Sequence, residues 1–215
     1  MLAATGACGA SYDASALGEL IGTRGPSNGI SFVTGTSFSI NWTITQISGG
    51  YHYAYSITGV SGPQLGVSHF ALNTSTNCTN SNGCVTNAVV NGSAVASTSL
   101  VFGPNTSSNG NVNFPGSFFG VRFEGLGQQL PFTVEFDSVR VPVYGDFYLK
   151  LGQGGGTLPN GGSGWNTGAS NHASTNIIDF IARPDTDVAS LPEPGTLAMI
   201  GFSLVAIGLC RRRTW

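Results

Sequence analysis

The sequence predicts an all-β body, a two-sheet antiparallel β-sandwich of jelly-roll or immunoglobulin-like type, followed by a single C-terminal transmembrane helix. Three observations lead there. Apolar and polar residues alternate with period two through most of residues 30–151, while helical periodicity is almost absent. Strand-like runs follow one another with Gly, Asn and Pro between them and no helices intervening, which favours antiparallel sheets. Charged residues are only 8% and glycines number 32 in 215 residues, a turn-rich and weakly charged composition with enough apolar content (40%) to build a core.

Residues 1–10 (MLAATGACGA) hold no Lys or Arg and only a weak apolar stretch, with small residues crowded as before a cleavage site. They are expected to be the remnant of an export signal that starts upstream. The body runs over 11–182. Ala14 to Ile21 suits one or two helical turns. Phe38, Ile40, Trp42 and Ile44 alternate with polar neighbours, which predicts a half-buried strand. Tyr51, Tyr53, Tyr55 and Ile57 do the same after Gly49-Gly50, so the two runs read as a hairpin. The tyrosine stripe is expected to be core rather than a binding platform. Val67 to Leu72 is a further short strand, and Val89 to Phe102 has weaker β character.

Phe119, Val121 and Phe123 predict a strand with Gly120 and Arg122 on its other face. Leu130, Phe132, Val134 and Phe136 alternate with Thr133, Glu135 and Asp137, and Phe147, Leu149 and Leu151 with Tyr148 and Lys150. Gly152 to Asn171 is glycine-rich and predicts a long flexible loop. A last strand is expected at Ile177 to Ala182, and a polar linker over 183–191.

Net charge is −2 and no basic cluster stands in the body, which argues against nucleic acid as a partner. Cys78 and Cys84 bracket a polar, turn-like segment and form the natural disulfide pair in an oxidising compartment. No His or further Cys has zinc-ligand spacing near them, no H-x-H or H-E-x-x-H occurs, and no metal or cofactor is expected. No G-x-S-x-G is present either.

The acids able to pair are Glu124, Glu135, Asp137 and Asp146. Glu135 and Asp137 share one strand face. Two such carboxylates suit a glycosidic bond or a calcium ion, and equally a solvated polar face. Trp165, outside any apolar run, suits stacking on a sugar ring or capping an edge of the sandwich.

The chain's end is the most specific segment. Pro192-Glu193-Pro194 is followed by an uncharged run of 16 residues, Gly195 to Cys210, and then by Arg211-Arg212-Arg213. As a helix that run spans about 24 Å, so thinning of the bilayer and snorkelling arginines must help it cross. Arginines stay on the cytoplasmic side, which places the body outside. This order of parts, over 192–215, resembles the PEP-CTERM sorting signal of exported bacterial proteins of Gram-negative type.

The resemblance implies recognition and processing by an exosortase and transient anchoring in the inner membrane. It also implies release to the cell surface or extracellular matrix and association with exopolysaccharide and biofilm. The body is then expected to be a non-enzymatic structural or glycan-contacting module. The alternative is a secreted polysaccharide-acting hydrolase using Glu135, Asp137 or Glu124.

Overall fold

The computed structural model describes residues 19–33, 37–59, 66–78, 82–96, 98–102, 114–116, 118–128, 130–152, 162–170 and 176–184. Among these there is no α-helix, and two six-stranded antiparallel sheets share one core.

The first sheet contains β1 (Ile21–Arg24), β3 (Ser39–Ile47), β4 (Gly50–Thr58), β6 (Thr86–Val90), β7 (Ser93–Ala94) and β10 (Phe132–Ser138), in the order β1-β3-β4-β10-β6-β7. The second contains β2 (Ile30–Phe32), β5 (Val67–Asn73), β8 (Thr98–Phe102), β9 (Phe118–Gln128), β12 (Phe147–Leu151) and β13 (Ser163–Asn166), in the order β2-β13-β12-β5-β9-β8. A short ladder of β11 (Pro142–Gly145) with β14 (Ile181–Pro184) completes the fold.

Alternation produces the sandwich-like packing. Ile40, Trp42, Ile44, Tyr53, Tyr55 and Ile57 turn inward from one sheet and meet Phe70, Leu72, Val121 and Phe123 from the other. Aromatic contacts bridge the sheets: Phe123 stacks on Phe136 at 5.3 Å, and Tyr55 lies 5.6 Å from Phe70. The tyrosine stripe is core, as expected, since Tyr53 and Tyr55 are fully buried. Their hydroxyls donate to the carbonyls of Arg140 and Ala182, both at 2.8 Å, so neither polar tip is wasted.

Several local expectations need correction. The hairpin loop is Ser48-Gly49, with Gly49 at φ +82°; Gly50 already pairs with Ile47. A side chain at Gly50 would collide with the Ser138 carbonyl, so that glycine serves a close approach rather than the turn. The Val89–Phe102 segment divides into β6, β7 and β8, with Asn91 and Gly92 at positive φ in the turn between β6 and β7.

The glycine-rich segment 152–171 is not wholly loop. It contributes β13 and a 3-10 turn, Thr167–Ser170. Gly164 makes β13 possible, because a Cβ there would stand 2.6 Å from the Phe38 ring. Asn166 then anchors it: its amide donates to Asp146 Oδ1 at 2.7 Å and its carbonyl accepts from the Phe147 amide at 2.8 Å.

The last strand starts later than its apolar pattern suggests. Ile177–Asp179 form a 3-10 turn capped by Asn176, and Arg183 and Pro184 belong to β14 rather than to the linker. Ile21 starts a strand, not the end of a helix. The expected export remnant, most of the linker and the C-terminal helix lie outside the described residues; among the described residues no helix is long and apolar enough to cross a membrane.

Candidate functional site

The period of β10 puts Thr133, Glu135 and Asp137 on the outer face of the first sheet. The period of β4 puts His52, Ala54 and Ser56 there too. Register then does what sequence spacing does not show: Asp137 is paired directly with His52. The imidazole Nδ1 stands 2.8 Å from Asp137 Oδ1, and Nε2 stands 3.6 Å from Glu135 Oε2. On the other side of β10 the ladder to β6 shifts register between Glu135 and Asp137. Asn87, at φ +53°, turns its amide to Asp137 Oδ2 at 2.8 Å. Thr45 faces His52 from β3.

The Asn87 amide holds the Asp137 carboxyl below the ordinary aspartate value, against the opposing effect of burial and with help from the His52 ring. A depressed carboxyl stabilises the fold above the unfolded chain's value and stops doing so as pH falls through its own. We therefore expect the stability gap between the wild-type chain and Asp137→Asn to narrow as pH is lowered from neutral to about 2, read from urea midpoints. A gap independent of pH would contradict this.

The other acids are elsewhere. Glu124 lies on β9 in the second sheet, in contact with Arg122. Asp146 is buried and bonded to Asn166. Trp165 is on β13, half-buried against Phe114 at 6.5 Å in an edge-on contact. It sits with Tyr148, Ala71 and Ala169 on the outer side of the second sheet, far from the His52 face. Glu135 and Asp137 thus come together, joined by His52, while Trp165, the other expected ligand contact, and Glu124, the third acid of the hydrolase alternative, do not join them. Among the described residues no group of three or more His, Cys, Asp or Glu suits a metal ion.

Cys78 and Cys84 are bonded, with Cα atoms 5.2 Å apart and both residues buried. The segment that leads into Cys78 is tied down by Arg140, a residue that follows β10. Its guanidinium donates to Ser75 Oγ and Asn77 Oδ1, each at 2.7 Å.

Sequence reasoning missed Arg24. It is 6% exposed, lies 4.9 Å over the Trp42 ring, and donates to the carbonyls of Ile177, Ile178 and Phe180. A lone arginine at the end of an unrecognised edge strand carries no local signal of that role.

Pro192, Glu193, Pro194 and Arg211 to Arg213 lie outside the described residues. The last described strand ends at Pro184, with seven residues between it and Pro192 in the sequence. The C-terminal address defines the class: an exported protein sorted by its tail. Residues 190–213 match the PEP-CTERM protein-sorting motif, and that motif implies processing by an exosortase on the way to the cell envelope or surface. No curated protein and no solved structure matches the chain.

Proposed function

We propose that this is a cell-envelope or extracellular-matrix protein whose β-sandwich is a structural or glycan-contacting module associated with exopolysaccharide and biofilm. Its tail, Gly195 to Cys210, holds the chain transiently in the inner membrane as a helix until an exosortase processes it. The sorting motif at 190–213 carries this reading. The outer face of the first sheet supports it: Thr23, Asn41, Thr43 and Thr45 lie beside His52, Glu135 and Asp137 as a lattice of hydroxyl, amide and carboxylate groups. Strands about 4.8 Å apart space such groups on the scale of a sugar ring. No cofactor is invoked.

The test is retention of the processed chain on a glycan array and on the host's own exopolysaccharide. Binding that weakens in Asn41→Ala and Asp137→Asn is expected; retention on nothing would remove the glycan part of the proposal.

A second reading, a secreted polysaccharide-acting hydrolase, draws on the same face, where Glu135 and Asp137 flank His52. Reducing-end release from the host polysaccharide, abolished in Glu135→Gln, would favour it over simple binding.

A further inference from the structure

We infer that the end of the body carrying the disulfide loop rests on the outer surface of the lipid bilayer while the tail is inserted. This rests on the membrane reading of the tail given above.

The path of β14 fixes which end that is. The carbonyl of Phe180 is held by Arg24, and Arg24 pairs with Ile40 near the start of β3. The carbonyl of Ala182 receives the Tyr55 hydroxyl. Pro184 pairs with Pro142, two residues beyond Arg140, whose carbonyl receives the Tyr53 hydroxyl. The chain thus runs toward the start of β4 and the end of β10, and its last described residue, Pro184, lies there.

That same end gathers three features. Val139 is 49% exposed and Ile47 is 39% exposed, two of four large exposed apolar residues among the described ones. They are neighbours: Ile47 pairs with Gly50, and the Cβ position of Gly50 lies 3.1 Å from Val139 Cα. The Val139 amide donates to the Gly83 carbonyl at 3.0 Å, which places the disulfide loop beside them. The end is also nearly uncharged. Residues 46–51, 74–78, 82–84 and 138–142 include one charged side chain, Arg140, and it is 1% exposed. Tyr51, half-buried at the rim, has the amphipathic character of residues at a membrane interface.

Length supplies the partner. Seven residues separate Pro184 from Pro192, a reach of at most about 28 Å. Since the apolar run begins three residues after Pro192, the exit end cannot leave the vicinity of the headgroups while the tail is inserted. Two exposed aliphatics would hold a free body weakly; on so short a tether they meet the surface at high effective concentration. A lipid surface suits an uncharged apolar tip better than a polar partner would.

The experiment uses the full chain in vesicles of phosphatidylethanolamine and phosphatidylglycerol with brominated acyl chains. Tryptophan is introduced by Val139→Trp, and by Ile178→Trp at the opposite end as control. Flotation of the vesicles reads tail insertion, and quenching relative to the parent chain reads contact of the end. Flotation with the added Val139→Trp emission quenched about twofold more than that of Ile178→Trp is expected, as for a ring placed at the interface.

Flotation with equal quenching overturns the inference and leaves the tail reading intact. That is also the result if the end docks on a protein instead, because these vesicles hold none. No flotation overturns both. Ile47→Trp repeats the measurement should Val139→Trp lose its disulfide or its β spectrum.

Discussion

Replacing Phe136 by alanine is expected to destabilise the body by about 3–5 kcal/mol, the cost of deleting a buried aromatic and leaving a cavity. Phe136 is 1% exposed and stands where the two sheets meet. It stacks on Tyr53 at 5.2 Å and Tyr55 at 6.1 Å within its own sheet, and on Phe123 at 5.3 Å across the core. Alanine removes all three ring contacts. The four rings come from β4, β9 and β10, so relaxation of one strand cannot refill the space. Against a typical stability of about 5–15 kcal/mol the loss is a large share. Denaturant midpoints of the two proteins, with unchanged slope, measure it. A cost below about 1 kcal/mol would mean that the sheets are not packed through this cluster.

Arg24→Met should cost about 3 kcal/mol, for a different reason. The methionine keeps much of the apolar stem over Trp42 but supplies no donors. The guanidinium donates at 3.0–3.1 Å to the carbonyls of Ile177, Ile178 and Phe180, and it lies 3.7 Å from Glu19 Oε2. Hydrogen bonds from a charged donor are worth more than neutral ones, and carbonyls left without their donor inside the fold add their own desolvation cost. The expected signature is local as well as global. Amide exchange should accelerate in β14 and in its partner β11 before the rest of the sheets respond. Uniform acceleration would show that Arg24 is not a clamp on the C-terminal strand.

How much was legible in the sequence follows from where period two survives. Strands β3, β4 and β10 have one buried and one solvated face, so their alternation is clean. β11 and β14 are buried at every position and show no period. β13 reads Ser-Gly-Trp-Asn, a loop by composition; it is a strand because Gly164 makes room for Phe38 and Asn166 finds its partners in Asp146 and Phe147. Those are tertiary facts.

The candidate site divides the same way. That Glu135 and Asp137 share a face is local and was readable. That His52 joins them depends on the register of β4 against β10, which places residues 85 apart within 2.8 Å. The disulfide was readable because only six positions separate its cysteines in a polar turn. The sorting tail was the most legible of all, since its parts act in linear order.

The tail directs the protein's export and processing. The most direct measurement is the mass of the mature chain recovered from an exosortase-bearing host. The wild-type sequence should yield a product lacking the segment that follows the Pro192-Glu193-Pro194 region, found at the surface or in the medium. Glu193→Ala combined with replacement of Arg211, Arg212 and Arg213 should leave the uncleaved chain at the inner membrane. The same trimmed mass from both chains would contradict the claim.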